Sequence, residues 1–291
     1  MGVINTRVEK SRGELFPFSD TARSKMISYN NAESIDIITS NGSKSGTKAL
    51  TNIKRISKDS YVDLSTGEVR EYKKSASKAD NIVAVKQSVR RIRMLILNNF
   101  TAFEGFHITL TYSEPMSDFN TAAKDYAKFF DRLKYYYHQY SFEYLRIIEP
   151  HAKGACHIHV IIKSGVKGQQ IRIEENVVSK LWHGGSVKVT QIYNVEGLAR
   201  YFGTFHSETT DQKNNLKIMD KQSRWHYYPS NARIYSKSKG IKYPAEIVTS
   251  YADAKKLLAE YKLISDPITY HAITESDDVV NSVLYERYKK D

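Results

Sequence analysis

CHIHVIIK, residues 156–163, decides the fold, because its two histidines lie two apart among apolar residues. On a β-strand successive side chains point to opposite faces, so His157 and His159 share one face while Cys156, Ile158, Val160 and Ile162 share the other. One face is core, and the other presents two imidazoles side by side. The preceding segment, FEYLRIIE (142–149), reads as a second strand joined through Pro150–Ala155 as an antiparallel neighbour, and it ends on Glu149. Two neutral imidazoles and a carboxylate on one surface suit a divalent ion and leave coordination positions open to substrate oxygens. His151 competes with Glu149 for the third position, and an ordinary half-exposed strand would show the same His-x-His alternation. Cys156 reads as a small core residue.

Outward from this strand the pattern continues. FHITLTY (106–112) sets Ile108, Leu110 and Tyr112 against His107, Thr109 and Thr111, which again predicts one buried and one polar face. After Pro115, Asp118 or Asn120 caps a helix with Phe119, Ala123, Tyr126, Phe130, Leu133, Tyr137 and Tyr140 on one stripe. A shorter helix is expected over 171–182, stopped by Gly184 and Gly185, then a strand SVKVTQIY (186–193) and a helix capped by Asn194. Upstream, residues 53–74 read as a hairpin turning at Ser65–Gly67, and Val85, Val89, Ile92 and Ile96 mark a long helix. That helix carries Lys86, Arg90, Arg91 and Arg93, either a solvated face or a DNA contact. The fold class is α+β, a central antiparallel sheet with helices packed on one face. Residues 1–52, rich in Ser, Asn, Lys and Gly, are expected to form a flexible or weakly ordered arm; 53–245 form the main domain, and 246–291 a helical tail.

The 291 residues carry 44 Lys and Arg against 32 Asp and Glu, a formal charge of +12, which favours a polyanionic partner. The single cysteine excludes an internal disulfide and a cysteine-rich zinc site, so a metal would rest on His and carboxylates. No stretch is long and apolar enough for a membrane span, no phosphate-binding loop of ATPases is present, and a soluble cytoplasmic protein is expected.

Taken in order, these motifs resemble the replication-initiator branch of the HUH endonucleases, whose core is RRM-like. HITLTYSEP (107–115) is similar to the first motif of that family, EPHAKGACHIHVII (149–162) to the second, and GLARYFGTF (197–205), after LWHGGSVKV (181–189), to the tyrosine helix. The resemblance implies a metal-dependent nickase and strand-transfer enzyme for rolling-circle replication, with Mg²⁺ or Mn²⁺ on His157, His159 and Glu149, and Tyr201 as nucleophile. His107, Thr109 and Thr111 would support the active face. The family usually has lysine three residues after the tyrosine, and here that place is Thr204. That leaves open how charge at the scissile phosphate is balanced, and whether a basic residue from elsewhere, such as Lys163 or Arg200, substitutes.

Residues 221–245 interleave Arg224, Arg233, Lys237 and Lys239 with Trp225, Tyr227 and Tyr228, without an acid. Cations for phosphates and rings for unstacked bases suit single-stranded or origin DNA, and Arg200 would add to them; a solvated loop is the alternative. A relaxase or transposase of the same superfamily, and a non-catalytic origin-binding protein, are the competing readings. Strand unwinding would fall to a host helicase.

Overall fold

Period-two alternation needs a partner on each edge and a cover on its apolar face, and two separate sheets of this protein meet that need. The computed structural model describes residues 6–13, 17–31, 33–41, 53–72, 75–151, 154–203, 221–274 and 276–290. The chain divides into two compact units, Ser75–Tyr243, and Met1–Lys74 together with Pro244–Asp291. In chain order the first strands are β1 (Thr6–Arg12), β2 (Arg23–Tyr29), β3 (Ser34–Ser40), β4 (Ile53–Arg55), β5 (Ser60–Asp63) and β6 (Val69–Glu71). There follow α1 (Ile82–Asn99), β7 (Gly105–Thr111), α2 (Phe119–Tyr136), β8 (Phe142–Pro150), β9 (Cys156–Ser164), α3 (Glu175–Leu181), β10 (Val187–Gln191), α4 (Val195–Gly203) and β11 (Tyr235–Lys237). The chain ends with β12 (Ala245–Ser250), α5 (Tyr251–Lys256), β13 (Tyr261–Leu263), β14 (Ile268–Thr274) and β15 (Val279–Lys290).

The unit Ser75–Tyr243 is built on an antiparallel sheet in the order β10-β7-β9-β8-β11. Ile158, Val160 and Ile162 of β9 are fully buried, as the alternation requires, and Cys156 is buried with them. Over this apolar face lies α2, whose Tyr126 and Phe130 rings stand 5.7 and 4.5 Å from that of Tyr144 on β8. Asp118 caps α2 by accepting from the Asn120 N–H at 2.8 Å. The opposite face is covered too: the Phe202 ring of α4 packs 5.1 Å from His159, and Val89 and Ile92 of α1 meet Ile147 and Phe202 around one small cavity. Helices therefore flank the sheet on both faces, not on one. The second face carries Ile147 and Ile161 between its polar positions and needs its own cover.

The other unit corrects the expected termini. Residues 6–40 supply three strands, and the expected helical tail supplies β12–β15 around the six-residue helix α5. Together they form a seven-stranded antiparallel sheet ordered β1-β14-β15-β3-β2-β12, with β13 paired to β15. Its apolar face, with Met26, Ile35, Ile37 and Tyr288, packs on Ala254 and Leu258. The pairing joins Ser34–Ser40 to a strand more than 240 residues later, so neither end looks like a sheet when read alone. Buried Glu286, held by Lys255 at 2.6 Å and the Tyr288 hydroxyl at 2.7 Å, further breaks the apolar alternation of β15. The hairpin expected near residue 65 is present as β5 and β6, with β4 as a third strand. The expected helix over 171–182 is shorter, spanning Glu175–Leu181.

Candidate active site

Register brings the chemistry together. Antiparallel pairing sets Glu149 of β8 and Thr111 of β7 on either side of His157, and Ile147 and Thr109 on either side of His159. Directly paired antiparallel residues share a sheet face, so both histidines, Glu149 and the two threonines point the same way. The turn that allows this depends on Gly154, whose φ of +85° is the left-handed region, and a Cβ there would stand 3.1 Å from the Tyr227 ring.

Each histidine is oriented by a neighbour on β7. His157 Nδ1 lies 3.1 Å from the Thr111 hydroxyl, while His159 Nδ1 lies 3.3 Å from that of Thr109 and 3.1 Å from His107 Nε2. With Nδ1 engaged, Nε2 is the coordinating atom that each ring offers. His159 Nε2 is 3.7 Å from Glu149 Oε2. Arg224 Nη1 approaches Glu149 Oε1 and the Pro150 carbonyl, each at 3.4 Å. Burial pulls the pKa of His107 down to about 4, with Lys188 adding to the effect, and burial and then His151 lower that of His157. Both rings are therefore neutral near pH 7, the form that binds metals.

Tyr201, on α4, is 48% exposed and its ring stands 6.3 Å from that of His159. The adjoining Phe202 is buried, and so anchors the helix turn that presents the tyrosine. Burial raises the phenol pKa above its usual 10, Glu149 adds to the rise and Arg224 opposes it. Tyr201, His107, Thr109, Glu149, His151, His157, His159, Lys188, Thr190 and Arg224 line one cleft of about 440 Å³. Among the described residues no three His, Cys, Asp or Glu side chains close on a common point as a finished metal site. The donor chemistry nevertheless fits a divalent ion: two imidazoles fixed at Nδ1 and a carboxylate in the adjacent register position.

Other expected site residues fall elsewhere. Lys163 shares the histidine face but pairs with Gly105 and Glu143, four residues beyond His159 and about 13 Å along the strand. It does not line the cleft. Arg200 is exposed on α4 and does not line the cleft, and Thr204 lies outside the described residues. Among the described residues the cations lining the cleft are Lys188 and Arg224. Sequence reading missed Lys188 and Thr190; β10 is recognisable as a strand, but only its pairing with β7 sets them opposite Thr109 and His107. Trp225 and Tyr228 are buried and stacked on each other at 5.1 Å, and the Tyr228 hydroxyl donates to the Ile148 carbonyl at 2.9 Å. These two rings are core, not base platforms. Tyr227 remains 38% exposed, and Arg233, Lys237 and Lys239 line a second groove of about 490 Å³ with Lys78 and Tyr235.

The unit Ser75–Tyr243 is thus an α+β sheet domain with a histidine and carboxylate cleft and a tyrosine at its rim. Residues 105–210, from β7 past α4, match the family model of the replication-associated protein ORF2/G2P. The matched stretch contains Glu149, His157, His159 and Tyr201, and agrees with the replication-initiator likeness of the motifs. No curated protein and no solved structure matches the chain. Among the described residues no helix is long and apolar enough to cross a membrane.

Proposed function

We propose that this protein is a replication initiator that nicks and rejoins single-stranded origin DNA through Tyr201. The observation that carries the reading is that one cleft gathers Tyr201, both histidines, Glu149 and two cations, in the stretch matching a replication-associated family. His157, His159 and Glu149 would hold Mg²⁺ or Mn²⁺. Such an ion, when bound, polarises a phosphate oxygen and offsets charge on the phosphoryl group. The Tyr201 oxygen attacks phosphorus in line; the bond to the 3′ oxygen breaks, that oxygen takes a proton, and the 5′ phosphate stays on the tyrosine. Attack by the 3′ hydroxyl reverses the step and expels the phenolate, so joining needs no ATP.

Arg224 and Lys188 take the part of the lysine absent after the tyrosine. Arg224 stands on the Glu149 carboxylate and opposes the rise of the Tyr201 pKa, which fits a guanidinium serving the scissile phosphate. A host helicase would supply unwinding. The absence of a closed three-donor cluster among the described residues favours the second reading, an origin-binding protein without catalysis. Incubation with single-stranded origin DNA decides between them: the catalytic reading requires cleavage that Mn²⁺ supports and EDTA stops, whereas binding with no cleavage on any origin strand supports the second.

A further inference from the structure

The seven-stranded sheet has a second face that the packing of α5 does not use. Met26, Ile35, Ile37 and Tyr288 point to α5, so the alternate positions of the same strands point away from it. Register aligns those positions into cross-strand rows. One row runs Arg12, Ile268, Tyr285, Ile38, Lys25 from β1 to β2. The next runs Lys10, Tyr270, Val283, Ser40, Arg23.

Both rows carry a cation on β1, a second on β2, one tyrosine between them and no carboxylate; Ile268 and Ile38 complete the first row, Val283 and Ser40 the second. Strands spaced about 4.8 Å apart put the two cationic flanks on the order of 19 Å from each other. Lys10, Arg12 and Arg23 are exposed, Tyr285 is 39% exposed, and the Tyr270 and Tyr285 rings meet edge to face at 5.6 Å. Lys10 Nζ stands 5.9 Å from the centre of the Tyr270 ring. The next row is different: Asp36 is bonded to Arg287 at 2.7 Å, Glu246 reaches back to Lys25 at 2.5 Å, and Ile27 is buried. On that side the platform ends; of its four cations Lys25 is paired with Glu246, while Lys10, Arg12 and Arg23 are exposed.

We propose that this sheet face is a second nucleic-acid surface, separate from the cleft, that binds single-stranded DNA with bases on Tyr270 and Tyr285 and phosphates along the cationic flanks. Charge complementarity selects the occupant: stacking rings between rows of cations suit a single strand, whereas an acidic or apolar protein partner would leave one of the two features unused. That the strand is DNA rests on the proposed function.

The test is fluorescence anisotropy of a labelled oligothymidylate with the full chain in EDTA, where no nicking occurs. K10E/R12E should weaken binding at least tenfold and flatten the salt dependence by about 1.4, two phosphate contacts at about 0.7 each for single strands. Y270A/Y285A should weaken binding by a similar factor without changing the slope. Nicking of a short oligonucleotide at saturating concentration should be unchanged in both variants. K10Q/R12Q serves where the charge reversal lowers the melting temperature. Unchanged affinity in folded variants overturns the proposal, as does loss of self-association or of protein partner binding with DNA affinity intact. Because binding is read without metal, the outcome is independent of whether Tyr201 is the nucleophile.

Discussion

His157 and His159 were legible as a pair from strand alternation alone, and Glu149 was legible as their neighbour because a short loop between two strands leaves little choice of partner. Tyr201 was not legible from residue chemistry, since the chain has 21 tyrosines; only its place in the order of motifs singled it out. Least legible were the cations. Arg224 arrives from a 3₁₀ segment over Lys221–Tyr227, and Lys188 from an edge strand, so neither has a fixed sequence distance from the histidines. Arg224→Ala is expected to slow nicking about 10²-fold, the scale for removing one preorganised donor, with Arg224→Lys recovering part and Lys163→Ala changing nothing. Single-turnover rates on one oligonucleotide check all three. His157→Ala and His159→Ala should each abolish saturable Mn²⁺ binding in a calorimeter, while Thr111→Val, which only releases His157 Nδ1, should weaken it 10- to 100-fold.

At the scale of elements, the strands and helices of the unit Ser75–Tyr243 follow from periodicity and caps. What periodicity could not say is which sheet face each helix covers. Phe202 illustrates the difference: its spacing marks it as apolar, but only the structure shows it supporting His107 and His159 from the side opposite α2. Phe202→Ala should cost about 3 kcal/mol and also disturb the cleft. Ile158→Ala, on the opposite face of β9, should cost about 2–5 kcal/mol while sparing Mn²⁺ binding below the transition. Thermal melts paired with Mn²⁺ titrations separate the two, and equal loss of metal binding in both would contradict the division of faces.

For the whole molecule, reading in chain order failed where the two ends of the chain share one sheet. Strand β15 lies between β14 and β3, so a chain ending at Tyr243 loses the strand that joins the two halves of the sheet. Such a truncation should expose Met26, Ile35 and Ile37, bind a hydrophobic dye and aggregate, as light scattering would show. The net charge of +12 acts at this scale too, predicting DNA affinity that falls steeply with salt for any sequence.

The proposed reaction turns on one bond, between the Tyr201 oxygen and the 5′ phosphate. After reaction with single-stranded origin DNA and Mn²⁺, protease digestion and mass spectrometry should find the 5′-phosphate of the cleaved strand on the peptide containing Tyr201, with no adduct in Tyr201→Phe. A DNA-linked peptide carrying any other residue, or an adduct that survives Tyr201→Phe, would contradict the account.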